Sequence, residues 1–152
     1  MKSEGIKIVA TNRKAKHDYF LEDEYEAGMV LKGTEVKALR LGNANLKDSY
    51  AKIRDNEVFV YQMHIGVYPF ANFENHDPTR TRKLLLKKHE IKRLIGKVVE
   101  KGYSLVPTNI YFRDGKAKIT IALAKGKKKY DKRESIKKRD EQRERNKNLR
   151  GY

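Results

Sequence analysis

The chain has 152 residues, with 36 Lys and Arg against 20 Asp and Glu for a formal net charge of +16, and its mean hydropathy is −0.86. The lack of Cys excludes disulfides and thiolate metal sites, and no apolar run reaches the roughly 18 residues that cross a bilayer, so neither a membrane span nor export is expected. What remains is one ordinary domain whose cationic excess calls for a polyanionic partner: a cytoplasmic monomer acting on nucleic acid.

Ile6–Thr11 carries β-branched residues in weak alternation and predicts a strand, after which Asn12 caps a helical turn through His17. Residues 19–26 mix aromatic and acidic side chains, and Gly28 introduces a second β-like run at 29–31. Thr34 as N-cap, the partial helical spacing of Val36, Leu39 and Leu41, and Gly42 as stop predict a helix. Residues 49–54 and 57–62 alternate on either side of Asp55-Asn56, a dipeptide that tolerates positive φ and suits a two-residue hairpin turn. Two prolines and a polar run make 66–82 a long loop. Leu84, Leu85, Ile91, Leu94 and Ile95 then predict a helix capped by Thr79 or Thr81 and stopped by Gly96. A second hairpin joins 103–112 to 116–124 across Asp114-Gly115, with Pro107 implying an edge or a bulge. Six or seven short strands with two or three helices give a mainly β class with short helices (α+β), an OB-like antiparallel barrel with flanking helices over residues 1–124.

From residue 125 to 152 there are 13 Lys and Arg against 5 Asp and Glu, and the only sizeable apolar or aromatic residues are Tyr130, Ile136, Leu149 and Tyr152. No helical stripe can be drawn through them, so the segment reads as a basic tail, disordered when free. It also lacks the apolar face of an interfacial membrane helix. Glu134 with Lys138 and Glu141 with Arg145 place acid four residues before base, which favours a helix once a polyanionic surface supplies the remaining free energy.

The four His residues are scattered without a metal-ligand spacing, and no nucleophile with an evident base partner appears. Neither an enzyme, nor a metal, nor a cofactor is expected, although a nuclease assembled from distant residues such as His76, Asp77 and Glu90 is a third reading. Three basic elements carry the nucleic-acid reading. Arg13, Lys14 and Lys16 precede His17, a candidate stacking or phosphate-contacting ring. In Asp-Pro-Thr-Arg-Thr-Arg-Lys at 77–83, Arg80 and Arg82 would point the same way in an extended segment, a guanidinium fork suited to phosphate. Lys83 would open the helix, with Leu84, Leu85 and Leu86 docking it. In the run at 124–134, Gly126 is a pivot out of the barrel, Lys125, Lys127 and Lys128 supply charge, and Tyr130 supplies a ring that stacks on a base.

Taken together, residues 12–20, 26–28, 33–40, 48–50, 77–86 and 124–133 resemble one family, small protein B, the SsrA-binding protein of bacterial trans-translation. The resemblance implies an OB-like body that binds the tRNA-like domain of tmRNA and delivers it to ribosomes stalled without a codon in the decoding site. It implies that Glu26, Leu85 and Lys118 contact or support that RNA, alongside the basic elements holding Asn12, Arg13, Lys14, Arg80, Arg82, Lys83, Lys125, Lys127 and Lys128. His17 and Tyr130 match positions at the decoding centre of the small subunit, and Gly126, Asp131, Lys132 and Arg133 match the start of a tail that enters the empty mRNA channel. Ala38 stands where Ser is common, Tyr130 stands where other members carry His, and the residues beyond Arg145 match no pattern. The rival expectation is a permanent ribosomal protein.

Overall fold

The structure, a computed structural model, describes residues 5–71 and 74–126. Its elements are β1 (Ile6–Thr11), α1 (Arg13–Asp18), β2 (Tyr19–Met29), α2 (Gly33–Arg40), β3 (Ala44–Asn45), β4 (Tyr50–Arg54), β5 (Glu57–Tyr61), β6 (His64–Ile65), β7 (Arg82–Leu85), α3 (Lys88–Ile95), a π-helical turn (Gly96–Glu100), β8 (Ser104–Arg113) and β9 (Lys116–Gly126).

Two hairpins begin where a dipeptide accepts positive φ at no great cost. Asp55 and Asn56 sit at φ 53° and 60°, and Asp114 and Gly115 at 51° and 80°, the mirror-image turn whose twist matches that of paired strands. Each turn fixes a register: Arg54 faces Glu57 across one hairpin, and Arg113 faces Lys116 across the other. From these two hairpins the antiparallel sheet closes on itself in the order β8-β4-β5-β7-β2-β9, with β9 returning to β8 and β1 added to the outside edge of β8. This closed ring is mostly strand with a few short helices, the mainly β class expected. One edge of β8 is shared, taking β1 along 109–113 and β4 at Leu105. The β8–β9 register shifts between Pro107 and Asn109, the bulge that proline implied.

The ring is filled by one side of each strand. Tyr25 and Ala27, Val58 and Val60, Leu84, Ile110 and Phe112, and Ile119, Ile121 and Leu123 point inward and are buried. Leu39 of α2 and Leu94 of α3 close the ends of this core. At about 1.5 to 3 kcal/mol for each fully buried Leu, Ile or Val, this packing holds both eight-residue helices, which are too short to be stable alone.

Several expectations change. A single strand, β2, runs from Tyr19 to Met29 in place of the two segments expected within 19–31, because a register shift at Asp23, φ 31°, lets it keep its pairing with β9 past the bulge. Residues 82–85 form a strand, because Arg82 and Leu84 are wanted inside and Leu85 outside, a period of two that fits between β5 and β2. The helix expected over 84–95 therefore starts only at Lys88, with the Glu90 carboxylate accepting the Lys87 amide at 3.0 Å, so neither Thr79 nor Thr81 caps it. Gly96 does not stop it, since a π-helical turn continues to Glu100. In α2 the amide of Lys32 is capped by Glu35 at 2.7 Å, and Thr34 instead meets the His76 ring. Finally, β9 runs through Gly126, opposite Tyr19, two residues beyond the boundary drawn at 124.

Candidate nucleic-acid interface

Strand alternation and register bring the three widely separated residues Glu26, Leu85 and Lys118 onto one outward face. Leu85 of β7 is opposite Gly28 of β2, Gly28 is opposite Lys118 of β9, and Lys118 is opposite Tyr111 of β8. These four positions make a continuous row across four strands. Glu26 lies one step along β2, on the same side as Gly28, while its neighbours Tyr25 and Ala27 point into the core. Leu85 is 51% exposed, so it is not a core residue, unlike Leu84 beside it.

The electrostatics of this face centre on Glu26. Its Oε2 accepts from the Tyr111 hydroxyl and from Arg113 Nε at 3.0 Å. The Tyr111 bond lowers the carboxyl pKa, partial burial opposes it, and Arg113 and Lys118 lower it further, so the net shift is downward. The Tyr111 hydroxyl is pushed up, by burial and by its bond to Glu26. The result is an ionised, partly exposed carboxylate of fixed orientation between two cations. Such a group can accept from base or 2′-OH donors, and the two cations beside it have the charge that suits phosphate. Tyr111 and Arg113 were not singled out from sequence, yet the signal existed: the Asp114-Gly115 turn fixes Arg113 against Lys116 and hence Tyr111 against Lys118.

The guanidinium fork of 77–83 is real but its partner is internal. Arg82 is fully buried, and its Nε donates to Glu35 Oε2 at 2.6 Å. Its other nitrogens donate to the carbonyls of Met63, Asp77 and Pro78. Arg80 donates to both Glu35 oxygens, at 2.6 and 3.2 Å, and to the Val30 carbonyl. Burial raises the Glu35 carboxyl, but Arg80, the Lys32 amide and Arg82 outweigh it and hold it below the usual carboxylate range. Arg82, expected at phosphate, therefore has no free face, and Arg80 is largely spent on the same carboxylate. The fork clamps the 77–82 segment to α2.

Asn12, also expected at RNA, is 5% exposed and serves as a hub. Its amide donates to Thr108, its Nδ2 to Leu46 and Pro107, and its Oδ1 accepts from Ala15. The capping role holds, and no donor is left for a ligand. It seats α1, from which Arg13 and His17 project, both exposed. His17 Nδ1 lies 3.0 Å from Asp18 Oδ1, and Lys14 Nζ lies 3.0 Å from Asp48. The Asp48 bond raises the Lys14 pKa, so that ammonium stays charged. Lys83, on the outward side of β7, pairs with Glu57. Lys125 sits with its Nζ 5.1 Å above the Tyr103 ring. Lys127, Lys128, Tyr130, Asp131, Lys132 and Arg133 lie outside the described residues, as does the expected tail disorder.

His76 is buried between Thr34 Oγ1 and the Ile65 carbonyl, at 2.9 and 2.8 Å, so it is a structural bridge rather than a member of a nuclease site with Asp77 and Glu90. Among the described residues no group of three or more His, Cys, Asp or Glu is placed to hold a metal ion, and no helix is long and apolar enough to cross a membrane.

Comparison with known proteins gives a consistent picture. An SsrA-binding protein of Geobacter metallireducens is 59% identical over 140 residues, covering 92% of this chain and 92% of its own. That of Caldicellulosiruptor bescii is 58% identical over 151 residues, covering 99% and 96%. Among solved structures, a chain from work on tmRNA-SmpB and the centre of the bacterial ribosome matches with a TM-score of 0.65 at 49% identity, over 77% of this chain and 82% of that one. The family model described as SmpB protein matches residues 9–151, so it runs through both the described ring and the basic segment beyond it, and the chain belongs to the SmpB protein family.

Proposed function

We propose that this chain is the RNA-binding adaptor of trans-translation, binding the tRNA-like domain of tmRNA on the outward face of β7, β2, β9 and β8 and delivering it to stalled ribosomes. The observation that carries this is the convergence of Glu26, Leu85 and Lys118, far apart in sequence, into one exposed patch around a carboxylate kept ionised by Tyr111 and Arg113. The relatives are named SsrA-binding proteins, and the solved neighbour concerns tmRNA and the ribosome. The adaptor does no chemistry of its own; it acts in the cytoplasm as a monomer. Residues 127–152 serve the ribosome, reading the empty mRNA channel, with His17 on α1 and Tyr130 at the decoding centre.

Gel shift with the isolated tRNA-like domain decides the first half. Lys118→Ala should weaken binding and reduce the slope of log K against log salt by about 0.7 to 0.9, the contribution of one phosphate contact. Glu26→Ala should weaken binding as well, and wild-type affinity in both variants would remove this face from the interface. For the second half, truncation after Lys129 should leave that affinity near normal while abolishing tagging of stalled chains. Full tagging by the truncated protein would refute the ribosomal role of the tail.

A further inference from the structure

The outward side of the β4–β5 hairpin carries an aromatic and cationic array that no step above uses. Tyr50 faces Tyr61 across the hairpin and Lys52 faces Phe59, while Phe59 faces Lys83 of β7. The rings of Tyr50 and Tyr61 are stacked, 5.3 Å apart and 11° from parallel. Lys52 Nζ lies 5.6 Å from the Tyr50 ring and the Arg54 guanidinium 5.0 Å from the Phe59 ring. Tyr50, Lys52 and Arg54 are exposed, while the inward partners Ala51, Val58 and Val60 fill the core. Among the described residues neither Lys52 nor Arg54 makes a salt bridge; Glu57 is taken by Lys83, and Asp55 lies beyond in the turn. Lys83 stands two residues before Leu85 on the same side of β7, so this array continues the Glu26, Leu85 and Lys118 face without a break.

We propose that the RNA-contact face extends across β7 onto this hairpin, where an unpaired nucleotide of the bound RNA stacks on the Arg54 guanidinium while Lys52 holds its backbone. Strand faces that pair rings with cations take single-stranded nucleotides in this way, since every base offers a π-face and the flanking charges are indifferent to sequence. The Arg54 guanidinium lies beside Phe59 and is exposed, so it is accessible to a base. A protein partner is disfavoured by the surplus of cations on this side of the hairpin.

The inference rests on the RNA-binding reading, and the experiment separates the two. Binding of the isolated tRNA-like domain is measured by gel shift over a range of salt, for wild type, Glu26→Ala, the double variant Lys52→Ala/Arg54→Ala, and Arg54→Lys. All the substituted hairpin residues are exposed, and melting curves verify the fold. The double variant should bind about tenfold more weakly and lower the salt slope by about 0.7 to 0.9 for the lost Lys52 phosphate contact. Arg54→Lys should keep the slope but still bind several-fold more weakly, because an ammonium offers no plane to stack on. Wild-type affinity and slope in the double variant, with Glu26→Ala impaired, would overturn the extension and leave the RNA-binding reading standing. Wild-type affinity in Arg54→Lys would overturn the stacking. Normal RNA binding by the double variant with lost ribosome co-sedimentation would assign the hairpin to a ribosomal partner and overturn the proposal. Failure of the wild-type protein itself to bind would overturn both.

Discussion

Removing the Glu35 carboxylate should cost this fold a large part of its stability. Glu35 is fully buried and accepts from Arg80, Arg82 and the Lys32 amide at 2.6 to 3.2 Å. In Glu35→Ala, the equally buried Arg82 loses its counter-charge, and stripping one partner from a buried ion pair costs about 3 to 5 kcal/mol. Domains of this size have roughly 5 to 15 kcal/mol in total. With a shift of about 4 °C per kcal/mol, thermal melting followed by circular dichroism at pH 7 should fall by roughly 12 to 20 °C. The pH dependence has a definite sign. The Glu35 carboxyl titrates lower in the folded than in the unfolded chain. Its contribution is therefore complete above the unfolded value of about 4.3 and is lost as pH falls through the folded one. Glu35→Gln should lose that part of the acid sensitivity along with stability. Melting of Glu35→Ala within about 3 °C of wild type would refute the reasoning, since an unpaired buried guanidinium costs more than that.

Leu85→Asp should fold, with melting within a few degrees of wild type because half of that side chain is already in water, yet bind the tRNA-like domain more weakly in a gel shift. Asn12→Ala leaves buried carbonyls of Leu46 and Pro107 and the Ala15 amide without their partner, and urea unfolding should report a loss of about 2 to 4 kcal/mol. Tyr111→Phe removes the largest influence lowering the Glu26 carboxyl, so the Glu26 side-chain titration followed by carbon NMR should move to higher pH; an unmoved midpoint would detach Tyr111 from the site.

The parts of this architecture that were legible in the sequence are those set by the backbone over a few residues. Asp55-Asn56 and Asp114-Gly115 announce positive φ, and with it two hairpins and their registers. Asn12 announces a cap, although the amide spends its remaining bonds on carbonyls 34 and 95 residues away, which no local pattern contains. Leu84-Leu85-Leu86 carries no period, so helix and strand were not distinguishable there until β5 and β2 claimed it. The spacing of Arg80 and Arg82 suggested that both point the same way toward phosphate, and both do meet one anion. It did not reveal that the anion is Glu35, 45 and 47 residues earlier, and a fork of this geometry fits a carboxylate as well as a phosphate. For the candidate RNA face, Glu26, Leu85 and Lys118 were nameable through the resemblance while Tyr111 and Arg113 were not, and adjacency came only from the pairing of β7, β2, β9 and β8.

The last strand of the ring carries a consequence for how the chain is made. β9 pairs with both β2 and β8, and β2 precedes it by about ninety residues, so synthesis must reach Gly126 before the ring can close. Long-range pairing of this kind folds slowly compared with local helical packing. Until it happens, β2 lacks one neighbour and β8 another, and each presents a row of unsatisfied backbone groups to any passing strand. A message broken anywhere before codon 116 therefore yields not a smaller working body but an open, pairing-prone sheet fit only for proteolysis, and no fragment lacking β9 can serve as a minimal version of this protein.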